Sequence, residues 1–322
     1  MKMIGVFSRF LTLVILLFLL FNLLFIAWIL IPMPSADKMD TIVQIPYGYN
    51  SHQIQALLKK NHVIRKYNLP FGLLTQVLQI DNKLQSGEYR FTYSQNLLQV
   101  ILQIAKGKVI LHSITIPEGY QSEQIAQLLE NNDIIDGEKF LNLVDSNSNP
   151  YREGYLFPDT YEFPKNYTEN QVLYTMYDNF KKNVFVHLSR EDSFPSQLNF
   201  DEIIVLASII EKEAQSDEEK PKIASVFHNR LASSMPLQSC ATIQYLLEER
   251  KENLDREDLK IDSAYNTYLY SGLPPQAICN PGLQSILAAA YPAQEDYYYF
   301  VLGKDGTHIF SKTYQEHLNN KP

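Results

Sequence analysis

The feature that most constrains this chain is a long apolar stretch close to its N-terminus. From Phe10 to Ser35 the sequence holds no charged residue, and most positions are Leu, Ile, Phe or Val. A bilayer-spanning helix needs about 20 such residues, whereas the core of a cleaved signal peptide has about 7–15 and ends at a small-residue cleavage site. No convincing site follows here, so the sequence predicts a membrane-spanning helix at residues 10–33.

Charges on either side of this stretch predict its orientation. Lys2 and Arg9 precede it, and Asp37, Lys38 and Asp40 follow it. Positively charged residues tend to stay on the cytoplasmic side of a membrane. We therefore expect residues 1–9 in the cytoplasm and everything after about residue 36 outside it.

Composition narrows the class of the rest of the chain. The 322 residues suffice for an anchor and two modest domains. With 45% apolar and 20% charged residues, the chain is suited to a packed globular body rather than a disordered one. The net charge is -8 and no run of Lys and Arg stands out, so no nucleic-acid partner is expected.

An internal repeat marks the first part of the chain. Residues 41–64 and 113–135 match at roughly half of their positions. In each copy a β-branched run ends at Pro, a Pro-x-Gly turn follows, and Ser51 or Ser122 is placed to cap an amphipathic helix. The pattern predicts two strand–turn–helix units. Two interpretations stay open: a scaffold, or a small module that binds an extended polymer.

The remaining sequence predicts a mixed α+β fold. Residues 154–163 are predicted as an aromatic loop or edge segment. Helices are predicted at 201–215, 218–232, 242–249 and 283–290, and a hairpin at 297–310. Beyond the anchor, the predicted boundaries are 41–112, 113–197 and 198–322.

The predicted helix at 201–215 carries the clearest candidate for a chemical role. At about 100° per residue, Glu213 falls on the face of Ile209 and Ile210. Glu211 points to nearly the opposite side. An apolar setting raises the pKa of a carboxyl group, and such a group can act as the general acid that cleavage of a glycosidic bond requires. The other interpretation of Glu213 is a polar helix end that bends into solvent.

Signatures of other chemistries are missing from the sequence. It holds no Gly-rich phosphate loop, no G-x-S-x-G and no H-E-x-x-H, and its histidines are scattered. No metal site and no cofactor is therefore predicted. Cys240 and Cys279 would lie outside the cytoplasm, where a disulfide and two unrelated thiols are both open interpretations.

A series of short motifs resembles a known family. The motifs, in order, are SGEYRF, IPEGY, EGYLFPDTY, ASIIEKE, VFHNRL, LQSCATIQY, YNTY, GLPP, NPG and YYYFV. Through them the chain closely resembles the MltG/YceG-like endolytic murein transglycosylases from the anchor to the final hairpin.

This resemblance implies an enzyme of the cytoplasmic (inner) membrane that cuts nascent peptidoglycan strands and works beside peptidoglycan synthases. It implies a LysM-like module at 41–112 before a mixed α+β catalytic domain. The second Glu of the E-K-E run is the family's catalytic acid, which is Glu213 here, with Glu211 as the alternative. It implies that this acid protonates the glycosidic oxygen and then accepts the proton of the sugar's own 6-hydroxyl, without metal or cofactor.

The resemblance also implies a set of cleft residues. The candidates for holding sugar groups are Gln238, Thr242, Tyr265, Asn266 and Asp159. Many relatives carry an Asp where this chain has Cys240. Because the motifs of Cys240 and Cys279 are expected to border one cleft, the resemblance favours a disulfide between them.

Three alternatives remain from the sequence. One is a non-catalytic scaffold that binds the cell wall, and another is an ordinary glycan hydrolase. The third, an aminodeoxychorismate lyase, would need a pyridoxal phosphate lysine in a cytosolic protein, which the predicted anchor argues against.

Overall fold

The computed structural model describes residues 2–31, 40–64, 70–144, 150–188, 194, 197–247 and 249–321. It has the mixed α+β character that the sequence predicts, with helices and small two-stranded sheets. The chain divides into two compact units. Unit 1 holds Met1–His112 with Pro164–Asn166, and unit 2 holds Ser113–Phe163 with Tyr167–Pro322. Unit 2 thus contains most of the predicted 113–197 segment together with 198–322.

Unit 1 is built from helices and one antiparallel strand pair. Its elements are α1 (Lys2–Leu30), β1 (Thr41–Ile45), α2 (Ser51–Lys60), α3 (Pro70–Val77), β2 (Gly87–Phe91) and α4 (Leu97–Ala105). In the strand pair, Val43 lies opposite Tyr89. The Tyr89 ring is fully buried in the core of this unit, and its hydroxyl donates to the Gln85 carbonyl over 2.9 Å.

The apolar N-terminal stretch forms α1, and side chains in this helix are described for residues 11–27 and 30. Most of these side chains, which are largely Leu, Ile, Val and Phe, are exposed. Within the described part of the chain, no helix reaches the length and apolarity that crossing a membrane requires. The predicted exit from the membrane, at residues 32–39, lies outside the described residues.

Unit 2 holds the remaining elements. They are β3 (His112–Thr115, whose first residue belongs to unit 1), α5 (Ser122–Asn131), α6 (Gly137–Val144), β4 (Thr160–Phe163), α7 (Glu169–Val184), α8 (Phe200–Glu213), α9 (Lys220–Ala232), α10 (Cys240–Gln244), α11 (Leu283–Ala290), β5 (Tyr299–Leu302), β6 (His308–Ser311) and α12 (Tyr314–Asn320).

The two repeat copies fold as the predicted strand–turn–helix units, β1–α2 and β3–α5. The predicted caps are wrong by one residue, because Ser51 and Ser122 are already helical and buried. Asn50 caps α2 instead: its Oδ1 accepts the Gln53 N–H over 3.0 Å, and Gln53 Oε1 accepts the Asn50 N–H over 2.9 Å.

The strand of each copy pairs with a strand that follows it in sequence. β1 pairs with β2 in unit 1, and β3 pairs with β4 in unit 2. Thr115 and Thr160 join β3 and β4 through their hydroxyls, 2.8 Å apart. The aromatic segment predicted as a loop or edge therefore contributes a strand at its end.

Two apolar cores support unit 2. One lies among β3, β4, α5, α6 and α7. The other surrounds α8, which packs against α9 and α11. The hairpin β5–β6 pairs Tyr299 with Ser311, and its turn has Gly306 at φ +81°, a conformation that favours glycine. The sequence interpretation did not foresee α12, which begins at the Thr313 cap.

Candidate active site

Helix α8 places Glu213 in the lining of an open cleft of about 1910 Å³ in unit 2. The helix begins at an Asn199 cap, whose Oδ1 accepts the Glu202 N–H over 3.0 Å. It ends at Glu213, because Ala214 turns to extended backbone at ψ 140°. A rigid buried helix thus ends with a carboxyl side chain at the wall of the cleft.

Helix α8 is apolar on more than the face that carries Glu213. All residues from Ile203 to Ile210 are buried, so the helix is enclosed on every side. Glu211 and Glu213 both line the cleft. Their hydrogen-bond partners, rather than a helical face, distinguish these two carboxylates.

Glu213 is held through one of its two oxygens. Its Oε1 accepts the Ser239 hydroxyl over 2.5 Å and lies 3.4 Å from the Ala241 nitrogen. Its Oε2 accepts no hydrogen bond from any residue that the structure describes. One oxygen is therefore fixed while the other stays available for proton transfer.

Glu211 is occupied by contacts that stabilise the fold. Its Oε2 accepts the Gly282 N–H over 2.9 Å and the Ser285 hydroxyl over 2.7 Å, and Lys220 Nζ lies 3.6 Å away. Gly282 and Ser285 belong to the start of α11, where a negative charge is favourable. Glu211 therefore fastens α11 to α8.

A buried hydroxyl cluster holds Ser239 in place. The Ser239 N–H donates to Thr267 Oγ1 over 3.1 Å, and its carbonyl accepts the Thr242 hydroxyl over 2.8 Å. The two threonine hydroxyls lie 2.9 Å apart, and all three residues are buried. Thr242, predicted to contact sugar, instead supports the Ser239 backbone from inside.

Gln238 is the predicted sugar-binding residue that does line the cleft. Its side chain is exposed, and its N–H donates to the Thr267 carbonyl over 3.0 Å. Its φ of +50° is uncommon for a residue other than glycine. This strained backbone turns the chain at the edge of the cleft, one residue before Ser239.

Asn266 and Tyr265 stand behind the cleft surface. The Asn266 amide is fully buried and donates to the Leu259 and Ile261 carbonyls, and its Oδ1 accepts the Tyr268 N–H over 3.0 Å. The Tyr265 ring packs 4.9 Å from that of Tyr245. Tyr268 and Tyr245 line the cleft, so the two predicted residues each support a neighbour that does.

Asp159 lies away from this cleft. It is exposed at the start of β4, where Asn179 Nδ2 donates to it over 2.8 Å. This contact ties β4 to α7.

The predicted disulfide is absent: Cys240 and Cys279 are both free thiols. Cys240 is exposed at the cleft, with its sulfur 3.0 Å from the Tyr268 hydroxyl. Cys279 is fully buried, and its sulfur donates to the Ser208 carbonyl over 3.3 Å. Each sulfur thus has its own partner, and burial raises the pKa of both thiols.

A charged cluster that the sequence interpretation missed borders the same cleft. The buried Lys220 ammonium lies 2.7 Å from Asp217 and 3.8 Å from Glu118. Burial raises the pKa of the Glu118 carboxyl, and the charge of Glu211 adds to this effect. The sequence signal that could have revealed this cluster was Glu118, which is the glutamate of the IPEGY motif.

Glu153 is a second missed carboxyl, and it is buried. Its oxygens accept the Ser122 N–H over 2.9 Å and the Asn280 side-chain amide over 2.6 Å. Burial raises the pKa of Glu153 to about 7, although the bond from Ser122 opposes this effect. This residue opens the EGYLFPDTY motif, from which the sequence interpretation selected Asp159.

Asn280 joins three segments of unit 2, and we call this arrangement the Asn280 junction. Its Oδ1 accepts the N–H groups of Gly154 and Leu156, each over 2.9 Å. Its backbone N–H and its amide both donate to the Tyr120 carbonyl. Gly154 has φ +91°, and a Cβ there would meet Ile204 at 2.7 Å. Only glycine fits this close approach.

Another part of the cleft is lined by an aromatic wall, which consists of Tyr299, Tyr314 and His317. The Tyr299 ring lies 5.4 Å from that of His317 and 5.8 Å from that of Tyr314. The Arg230 guanidinium lies 5.3 Å from the Tyr299 centroid and donates to the Leu237 carbonyl over 2.6 Å. Tyr314 is 58% exposed and presents its ring to the cleft.

Within the described residues, no His, Cys, Asp and Glu side chains group in a way that could hold a metal ion.

Comparisons with known proteins agree on one family. The model of the YceG-like family matches residues 43–322. An endolytic murein transglycosylase of Bacillus subtilis is 31% identical over 314 residues, which cover 90% of this chain and 86% of that protein. An endolytic murein transglycosylase of Streptococcus pneumoniae is 28% identical over 90% of this chain and 59% of its own length. The crystal structure of a yceG-like protein from Listeria monocytogenes superposes with a TM-score of 0.60 at 30% identity, covering 88% of this chain and 99% of that one.

Proposed function

This chain belongs to the YceG-like family, and we propose that it is an endolytic murein transglycosylase. It cleaves nascent peptidoglycan strands between N-acetylmuramic acid and N-acetylglucosamine, leaves 1,6-anhydro-N-acetylmuramic acid ends and so terminates strand elongation. One observation carries this proposal: Glu213 ends a buried helix at the cleft, with Oε1 held by Ser239.

The chemistry needs one carboxyl group in two steps. Glu213 donates its proton to the glycosidic oxygen as the bond from that oxygen to C1 breaks. The 6-hydroxyl of the same sugar then attacks C1, and its proton returns to Glu213 as the new O6–C1 bond forms. Because the nucleophile is part of the substrate, its attack gains from proximity.

The contacts of Glu211 favour this reaction over hydrolysis. Glycoside hydrolases usually pair the acid with a second carboxylate that attacks the sugar or activates water. Glu211, the carboxylate nearest in sequence, already accepts bonds from Gly282 and Ser285. Glu211 is thus poorly placed to serve as that second carboxylate, which a transglycosylase does not need.

The cleft suits a glycan chain. Its lining combines Gln238 and other polar side chains with exposed or half-buried tyrosine rings. Flat rings that carry a hydroxyl give both apolar contact and a hydrogen bond, which matches the mixed faces of a sugar. We expect Tyr245, Tyr268 and the aromatic wall to contact the strand.

For the N-terminal part we propose a single-pass anchor at residues 10–33 in the cytoplasmic membrane, with the cleft outside the cytoplasm. The charge-free stretch supports it, as do the positive charges of Lys2 and Arg9. We further propose that 41–112 serves as a LysM-like module. An anchor would keep the cleft close to strands leaving peptidoglycan synthases, which are the partners we expect.

The decisive experiment replaces the acid. Purified full-length enzyme in detergent is incubated with uncrosslinked peptidoglycan, and the new strand ends are identified by mass spectrometry. We expect anhydro ends from the wild type and a loss of at least about 100-fold in Glu213→Gln, because general acid–base catalysis contributes that much. Glu123→Gln, which changes an exposed carboxylate of the same cleft, is the matched control and should retain activity.

The products separate the competing functions. Reducing ends in place of anhydro ends would mean a hydrolase. Anhydro ends released at the normal rate by Glu213→Gln would sink the mechanism. No new strand ends from the wild type would support a scaffold that binds the wall.

A further inference from the structure

Helix α8 does not by itself fix the carboxyl of Glu213. This residue is the last of the helix, and the backbone leaves at Ala214 in an extended conformation. Glu213 is also only partly buried, so packing restricts its side chain less than it would at a fully buried position. The contacts that fix its carboxyl come from residues 239–241 instead.

Ser239 is well suited to fix that carboxyl. It is 2% exposed, its N–H is bound to Thr267 and its carbonyl is bound to Thr242. Because both backbone groups of Ser239 are hydrogen-bonded, the position from which its hydroxyl reaches Glu213 is fixed. The oxygen-to-oxygen distance to Glu213 Oε1 is 2.5 Å, within the range of charge-assisted bonds between a hydroxyl and a carboxylate.

The contact involves one oxygen of the carboxylate and leaves the other alone. A hydroxyl that donates to Oε1 disfavours a proton there, so the acidic proton resides on Oε2. After that proton has moved to the glycosidic oxygen, the same donor stabilises the negative charge on Glu213. Ser239 keeps its own proton throughout, and the proton of the 6-hydroxyl returns to Oε2.

We infer that Ser239 is a positioning residue that orients Glu213 so that Oε2 faces the substrate and that steadies the ionised carboxylate between the two proton transfers. The inference rests on the proposed role of Glu213. It also gives a role to the Thr242–Thr267 pair, which holds Ser239 from the interior.

The test compares Ser239→Ala with Ser239→Thr in the full-length enzyme. We expect kcat for release of anhydro ends to fall about 10- to 100-fold in Ser239→Ala, because misplacing a catalytic group by about 1 Å costs up to that much. KM should change little. The alkaline limb of the rate–pH profile should move to higher pH, since the ionised carboxylate loses a donor. Ser239→Thr keeps the hydroxyl and should restore both the rate and the profile.

Ser285→Ala is the matched control, because it removes another buried hydroxyl that donates to a glutamate of α8. We expect it to lower the melting temperature while the alkaline limb stays in place. All rates are measured at a temperature where circular dichroism shows each variant folded, so a loss of fold does not count as a loss of rate.

The outcomes separate this inference from the proposed function. If Glu213→Gln is inactive and Ser239→Ala keeps the wild-type kcat and profile, Ser239 does not position the acid while the function stands. If kcat falls but the profile does not move, or if Ser285→Ala moves the limb equally, the inference is overturned as well. If Glu213→Gln stays active, the function itself fails, and the positioning role fails with it.

Discussion

Glu153 is the residue whose charge depends most clearly on the fold. Its carboxyl is buried, and burial raises its pKa from 4.5 to about 7. A folded-state pKa above the unfolded value means that the folded protein binds the proton more tightly. The stabilising contribution of this group is therefore full below about pH 4.5 and is lost as pH rises through about 7.

This gives a prediction for stability. Between pH 5 and pH 8, we expect the free energy of unfolding of the wild type to fall, with Glu153 contributing at most about 3 kcal/mol. In Glu153→Gln, which mimics the protonated acid, that slope should flatten. Urea unfolding followed by fluorescence across this pH range measures it. Glu162→Gln, an exposed residue of β4, should keep the wild-type slope, and equal slopes in all three proteins would contradict the assignment.

Single residues were predicted from the sequence with uneven success. Glu213 and Gln238 were predicted as site residues because they stand in recognisable motifs, and both line the cleft. Glu153 and Asn280 stand in motifs that the sequence interpretation quoted, yet their pairing joins positions 127 residues apart. Local periodicity carries no information on such a contact. The same limit explains the wrong disulfide prediction, since motif order does not reveal that Cys240 is exposed at the cleft while Cys279 is buried against Ser208.

At the scale of elements, β5 and α12 together build the aromatic wall. We expect Tyr314→Ala to raise KM for glycan strands about 2- to 10-fold, because one aromatic contact contributes about 0.5–1.5 kcal/mol. The melting temperature should change little, since the ring is 58% exposed. Steady-state kinetics with strands of defined length would measure this. The control is Tyr174→Ala, which changes a similarly exposed tyrosine on α7 outside the cleft. An equal KM for both variants would show that the aromatic wall does not contribute to substrate binding.

Strong patterns predicted elements well, and weak ones did not. The repeat predicted two strand–turn–helix units, and the pattern at 297–310 predicted the hairpin, because proline, glycine and periodicity act locally. The helical face of Glu213 could not distinguish it from Glu211, because a helix that packs against α9, α10 and α11 is buried on all sides. Helix α12 carries no apolar stripe of its own and depends on packing against β5 and β6.

At the scale of the whole molecule, Glu213, Ser239 and the aromatic wall all belong to unit 2. This unit has two apolar cores of its own. We therefore expect a chain truncated to residues 113–322 to unfold in one cooperative transition and to cleave soluble glycan strands with a kcat close to that of the full chain.

What the truncated chain should lose is binding to membranes. Full-length protein should float with phospholipid vesicles on a density gradient, and the truncated chain should stay in the soluble fraction. A truncated chain that aggregates or has no cooperative transition would show that unit 2 depends on unit 1. The sequence predicted a boundary at residue 112, where a repeat begins, but composition could not reveal that 113–163 and 167–322 pack as one body.

The Asn280 junction has a consequence for how the enzyme comes into being. Gly154, Leu156 and Tyr120 form hydrogen bonds with Asn280, which is synthesised more than a hundred residues later. Glu213 is synthesised well before other residues that line the cleft, such as Tyr314 and His317. During synthesis the cleft can therefore form only after the segments around Asn280 and Tyr314 have been added, so the order of synthesis delays the assembly of the site.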